Sequence, residues 1–188
     1  MEEKAFKFTP HFVTWDCLIC KRLNYEVPLT GDCISGGRYC APDPDEEGPL
    51  TGTDILSEDL RQACMWKTNP LIWWSYTALY PNNCLRADES GSDKNSEECS
   101  NNQLNFVTDQ INSGKVIQCV KDSFFKKANS NGPIDQSIDD NSILSEERKL
   151  QLQYDITEFP VLLINHKPYS VITRNFYYLN QIGEFNRY

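Results

Sequence analysis

The stretch Thr14-Trp15-Asp16-Cys17-Leu18-Ile19-Cys20-Lys21 sets two cysteines in C-x-x-C spacing, close enough to open and close as a dithiol–disulfide pair. In that chemistry Cys17 is the attacking thiolate and Cys20 the resolving thiol. A cysteine at the first turn of a helix gains thiolate character from the unpaired backbone N–H groups there. Asp16 acts in the opposite direction, because an adjacent carboxylate disfavours a second anion. Lys21 reads as an ordinary solvated lysine. The competing reading is inert structural sulfur, with Cys17 permanently bridged to Cys20 or to another cysteine such as Cys33.

Six more cysteines bear on that choice: Cys33, Cys40, Cys64, Cys84, Cys99 and Cys119. An even, dispersed set favours disulfides and an oxidising compartment, and spacing alone does not fix the pairing. Zinc is the rival, through Cys17, Cys20, Cys33 and Cys40. Their second pair is spread too widely for a zinc ribbon, and His11 and His166 have no ligand spacing. No metal and no cofactor is expected. Asp43, Asp45 and Glu47 alternate as calcium-loop acids do, but Pro44 and the missing later Glu break the pattern, which leaves a solvated acidic loop. Trp66, Trp73, Trp74 and Tyr76 fall at helical spacing and read as core between helices.

A formal charge of −9 on 188 residues, with its few basic pairs scattered, argues against nucleic acid. The longest strongly apolar run, Val161-Leu162-Leu163-Ile164, is far short of the roughly 20 residues of a membrane helix. Met1 is followed by Glu2, Glu3 and Lys4 with no apolar stretch, so no signal peptide is read. The chain reads as a lumenal piece of a longer precursor whose parent could carry a span, with a cytosolic protein as the alternative.

These residues need elements to hold them. Residues 5–15 read as a strand leading to the cysteines, with its alternation broken by Pro10, and 17–26 as a short helix. From about 53 to 153 the signals are helical. Ser57 caps a helix to about Trp66, and Asn69-Pro70 opens one that Pro81 ends. Ser96 opens a third helix that ends at Gly114, a fourth covers Val116 to Lys127, and Ser145-Glu146-Glu147 caps a fifth. Asn129 to Asn141 reads as loop. The end returns to β: Val161–Ile164, a turn at Asn165-His166-Lys167-Pro168, a partner strand Tyr169–Ile172, and a closing helix from Thr173 through Ile182. Strand, C-x-x-C helix, helical middle, hairpin and closing helix is the order of an α/β thioredoxin-like fold with a large helical insertion, stapled by disulfides. The expected boundaries are 1–52 and 154–188 for the two parts of the thioredoxin-like domain, and 53–153 for the insertion.

The segment Tyr154-Asp155-Ile156-Thr157-Glu158-Phe159-Pro160-Val161 resembles the thioredoxin-family run Y-x-[IV]-x-x-[FYI]-P-T. That resemblance implies a cis Pro160 beside the cysteine pair, with Phe159 presenting backbone to an extended peptide. Phe8-Thr9-Pro10-His11-Phe12-Val13-Thr14-Trp15-Asp16-Cys17 is similar to the F-T-P-H-[YF]-[IV]-T-W-x-C run of plant-type vacuolar sorting receptors. Gly37-Arg38-Tyr39-Cys40-Ala41-Pro42-Asp43-Pro44 matches their G-R-Y-C-A-P-D-P. In the same order follow Leu60-Arg61-Gln62-Ala63-Cys64, Trp73-Trp74-Ser75-Tyr76, the Cys84 and Cys99 pair, and Cys119, so the resemblance covers about residues 7 to 172. It implies the central thioredoxin-like lumenal region of such receptors, which carry soluble cargo to the vacuole. Two positions depart from that pattern: Cys20 stands where those receptors place no second cysteine, and Phe159-Pro160-Val161 replaces their Leu-Pro-Thr.

The expected function is a lumenal module for cargo recognition or protein–protein interaction without catalysis, its partners being proteins or extended peptides at Phe159 and Pro160. A thiol–disulfide oxidoreductase using Cys17 and Cys20 is the alternative, and a structural subunit of a larger assembly the third reading.

Overall fold

A computed structural model describes residues 8–25, 31–43, 50–85, 97–126 and 132–170. In chain order the elements are α1 (Leu18–Arg22), β1 (Cys33–Ile34), β2 (Tyr39–Cys40), α2 (Gly52–Thr68), α3 (Pro70–Tyr80) and α4 (Glu97–Val107). Then follow α5 (Gln110–Ser123), β3 (Phe124–Phe125), β4 (Asp140–Asn141), α6 (Ser142–Gln153), β5 (Val161–Ile164) and β6 (Lys167–Ser170).

Each helix start has a local cause. Thr51 Oγ1 accepts from the Asp54 N–H while Asp54 accepts from the Thr51 N–H at 2.9 Å, a reciprocal box that opens α2. The helix therefore begins before Ser57, the expected cap, whose hydroxyl lies inside it and donates to the Thr53 carbonyl at 2.8 Å. Asn69 Oδ1 accepts from the Leu71 N–H with Pro70 in the first turn, so α3 starts and stops as read. The expected helix from Ser96 to Gly114 is two helices. It breaks after Val107, and Asp109 Oδ1 takes the Asn112 N–H at 2.8 Å to open α5, with Gly114 in the interior. Asn141 caps α6 through the Leu144 N–H, ahead of Ser145, because it is buried and also donates to Ser123 Oγ at 2.8 Å.

The described strands form three separate two-stranded antiparallel ladders. The expected strand over 5–15 is, in its described part, an extended run that joins a ladder only where Trp15 bridges Cys40. Pro10 lacks the N–H a ladder needs, and the phenyl rings of this run are taken up by helices. Phe8 packs on Trp66, Trp73 and Trp74, with ring centroids between 5.2 and 5.9 Å away. In the last ladder Asn165 and His166 both take positive φ, as a two-residue hairpin turn demands, so β6 begins at Lys167, two residues earlier than read. The closing helix from Thr173 to Ile182, and all of the acidic loop except Asp43, lie outside the described residues.

Two apolar clusters hold the fold. The larger joins α2, α3, α5 and α6 with Phe12, Ile34 and Tyr39. The smaller lies under β5 and gathers Val13, Ile156 and Val161, flanked by Trp15 and Phe159. Phe12 enters one cluster and Val13 the other, so this extended run is the seam between them. Trp73 and Tyr76 are core as expected, whereas Trp74 is half exposed. Among the described residues no helix is long and apolar enough to cross a membrane.

Candidate functional site

Cys17 caps α1: its sulfur accepts the Cys20 N–H at 3.1 Å, and its carbonyl accepts the Lys21 N–H at 3.0 Å. The two cysteines are joined as a disulfide, Cys20 buried and Cys17 partly exposed. At five residues α1 is little more than one turn, so its macrodipole adds little and the local N–H groups carry the electrostatics. Leu18 and Ile19, between the cysteines, are 73% and 72% exposed.

The hairpin of β1 and β2 is the floor under this disulfide. Its ladder pairs Cys33 with Cys40, which are themselves bridged. The Gly37 carbonyl accepts the Cys17 N–H at 2.8 Å, and Trp15 and Cys40 exchange backbone hydrogen bonds of 3.0 and 2.8 Å. Gly37 has φ +88°, and a Cβ there would lie 2.6 Å from Cys20 Sγ and 2.9 Å from Cys17 Cβ. Only a residue without a side chain lets the hairpin approach the bridge so closely. The hairpin tip is tied down in turn: the Ser35 N–H donates to the Gln136 carbonyl, Arg38 to the Ile138 carbonyl, and the Tyr39 hydroxyl to Asp140 at 2.7 Å.

From the other side, α6 sends Arg148. Its Nη1 donates to the Thr14 carbonyl at 3.2 Å and to Gln151 Oε1 at 2.8 Å, and its Nε lies 3.4 Å from Asp16 Oδ1. The Asp16 carboxylate, read in the sequence as opposing a Cys17 thiolate, thus has a cation beside it that offsets its field. The Tyr25 phenol feels the same carboxylate: burial first, then Asp16, push it up, against Arg38 and Arg148. The Arg38 guanidinium sits 4.8 Å over the Tyr25 ring.

The Phe159-Pro160 peptide bond is cis, as the thioredoxin-like segment implies. Phe159 packs on Trp15 with centroids 5.5 Å apart and the rings tilted by 58°, which ties the proline turn to the residue two before Cys17. A shallow depression of about 220 Å³ runs along the residues leading into this turn, lined by Tyr154, Ile156, Glu158, Val161 and Pro168; neither Phe159 nor Pro160 lines it. The other cysteines pair as Cys64–Cys119 and Cys84–Cys99. The four cysteines weighed as zinc ligands are therefore divided between two disulfides.

The sequence reading missed Gly37, Arg148 and the Trp15–Phe159 contact as parts of this site. Gly37 entered the sequence reading only as the first residue of the run matched to G-R-Y-C-A-P-D-P, and that place before Arg38-Tyr39-Cys40 is the signal that could have raised it. Arg148 carried no local signal at all, because its partners are more than 130 residues away in sequence.

A disulfide-linked C-x-x-C at the start of a helix, joined through a tryptophan to a cis-proline turn that opens a β-hairpin, defines a thioredoxin-like domain. The chain belongs to the family described as vacuolar sorting receptor thioredoxin-like domain, which it matches over residues 1–175. Among curated proteins it is 29% identical to vacuolar-sorting receptor 3 of Arabidopsis thaliana over 181 residues, covering 90% of this chain and 26% of that protein. It is likewise 29% identical to vacuolar-sorting receptor 1 of Pisum sativum over 174 residues, covering 87% of this chain and 25% of that protein. The chain thus spans about a quarter of the length of these relatives. No solved structure matches it. The receptor resemblance read from the F-T-P-H and G-R-Y-C-A-P-D-P runs is borne out.

Proposed function

We propose that this chain is a lumenal receptor module that recognises protein cargo or partner proteins as extended peptides along the cis-proline turn, without redox turnover. Its receptor relatives support the class, and four disulfides fit an oxidising lumen. The observation that carries the peptide reading is the Trp15–Phe159 contact. It brings the turn at Pro160 against the residue that leads into the C-x-x-C helix, whose Leu18 and Ile19 are exposed apolar side chains. A peptide laid there gains main-chain hydrogen bonds and apolar contact together.

The domain division goes with this reading. Residues 1–52 and 154–188 form the thioredoxin-like domain and 53–153 a helical insertion. Every disulfide closes within one of these parts: Cys17–Cys20 and Cys33–Cys40 before residue 53, Cys64–Cys119 and Cys84–Cys99 inside the insertion.

The test is binding to an array of unstructured peptides that vary in apolar content. Wild type and Cys17→Ser/Cys20→Ser are expected to bind the same apolar peptides, and Leu18→Asp/Ile19→Asp to lose them. Peptide binding unchanged by the Leu18 and Ile19 charges would sink the proposal.

A second reading, a thiol–disulfide oxidoreductase, is favoured by one observation: Cys17 is partly exposed and Cys20 buried, the asymmetry an attacking and a resolving thiol need. Catalysed reduction of insulin by a dithiol, abolished in Cys17→Ser, would establish it.

A further inference from the structure

A second site lies in the helical part, away from the cysteines. A cavity of about 250 Å³ opens between α2, α4 and α5. That is just below the range of drug-sized pockets, roughly 300–1,000 Å³, and suits a ligand of a few heavy atoms. Its lining includes a buried charged pair. Glu58 and Arg61, one turn apart on α2, are both nine-tenths buried and paired at 2.7 Å. Glu58 is saturated, because it also accepts Gln62 Nε2 at 2.9 Å and Ser100 Oγ at 3.0 Å. Arg61 is not. Among the described residues its guanidinium makes only the Nη1 bond to Glu58, although the group carries five N–H donors in a planar fork. Open donors on a largely buried cation that lines a cavity are a place for a carboxylate.

The rest of the wall restricts what carries that carboxylate. The Asp54 and Glu97 carboxylates line the same cavity with Lys121, so a bare anion would meet more negative than positive side chains. Val116, Ile117, Val120 and Phe124 give the cavity one apolar side, while Ser57, Tyr80, Ser100, Asn101 and Gln136 add uncharged polar groups. A cation with open donors, carboxylates and an apolar side in one cavity complement a zwitterion with an apolar side chain.

We propose that this cavity binds a free α-amino acid with an apolar side chain. Arg61 takes the carboxylate, Asp54 and Glu97 the ammonium, and the face of α5 the side chain. The site is independent of the peptide edge at Pro160.

The experiment titrates the full chain with leucine, with 4-methylpentanoate, which lacks the ammonium, and with isopentylamine, which lacks the carboxylate. Methyl NMR of Val116, Val120 and Ile117 reads the site and calorimetry reads affinity. Saturable shifts of those methyls with leucine are expected, with both analogues at least about tenfold weaker, the scale of one charge-assisted hydrogen bond. Glu97→Gln, a substitution in the first turn of α4 that leaves the Glu58–Arg61 pair intact, should weaken leucine about tenfold and leave 4-methylpentanoate bound no more weakly than before. Ile117→Trp, which fills the half-exposed mouth, should abolish binding. No methyl shift at millimolar leucine, equal affinity for 4-methylpentanoate, or indifference to Ile117→Trp would each overturn the proposal.

Discussion

At the scale of single residues, Gly37 governs how the C-x-x-C is held. It touches both halves of the Cys17–Cys20 disulfide: its carbonyl takes the Cys17 N–H, and its missing side chain leaves room for Cys20. Gly37→Ala introduces both a positive-φ penalty and a Cβ inside contact distance of the Cys20 sulfur and of Cys17 Cβ. Overpacking of this kind costs about 1–3 kcal/mol. Neither obstacle is the flexible end of a long side chain, since both cysteines are fixed by their bridge. The expected outcome is an unfolding free energy lowered by that amount, seen as a lower urea midpoint by tryptophan fluorescence, while Gly114→Ala, with open space around it, leaves the midpoint unchanged or raised. Equal midpoints for the two variants would show that the hairpin floor yields. The cysteines and Pro160 were legible in the sequence because their chemistry is local to a motif. Gly37 and Arg148 act through partners brought in by the fold, and Asp16, legible as the neighbour of Cys17, meets Arg148 only there, so no spacing rule reaches these contacts.

At the scale of elements, two helix starts were misread in one direction and a third was missed. The cap lay upstream of the residue read for α2 and α6, at Thr51 instead of Ser57 and at Asn141 instead of Ser145. One cap, Asp109, was passed over inside a longer helix. The cause is physical. Polar residues followed by acids recur along exposed helix faces, so sequence offers several caps per helix, and burial chooses among them. Asn141 wins because it is wholly buried between α6 and Ser123; Asp109 wins because the chain must turn between α4 and α5 so that Leu104 and Val116 can enter one core. Asp109→Ala removes the acceptor for the Asn112 N–H and should cost about 1 kcal/mol, in the usual range for a lost N-cap. Asp109→Asn should recover most of it, since an amide oxygen caps as well. Native-state hydrogen exchange would place the loss in the first turn of α5. If Asn fails to rescue, the aspartate acts through its charge and not as a cap.

At the scale of the whole molecule, the run from Phe12 to Trp15 feeds both apolar clusters, and the disulfides differ in how much chain each closes. Cys64–Cys119 ties α2 to α5 across 55 residues of sequence, whereas Cys17–Cys20 spans three. If a cross-link stabilises chiefly by restricting the unfolded chain, the long closure contributes about 4 kcal/mol and the short one about 2 kcal/mol. The thioredoxin-like order of elements was legible because it rests on punctuation by Pro, Gly and Cys. Which cysteines join was not, because pairing is a property of packed helices, and α2 meets α5 only once the core of Leu60, Leu104 and Val116 has formed. The consequence is testable by replacing each pair with alanine. Cys64→Ala/Cys119→Ala should lose about twice the unfolding free energy lost by Cys17→Ala/Cys20→Ala, read from urea curves under oxidising conditions. The short pair would then be dispensable for folding, so any loss of peptide binding or of thiol exchange in its absence could be ascribed to the site and not to the scaffold. Should the short pair cost as much as the long one, the bridge over Gly37 is a structural keystone, and the C-x-x-C would have no freedom to open without unfolding the domain that carries it.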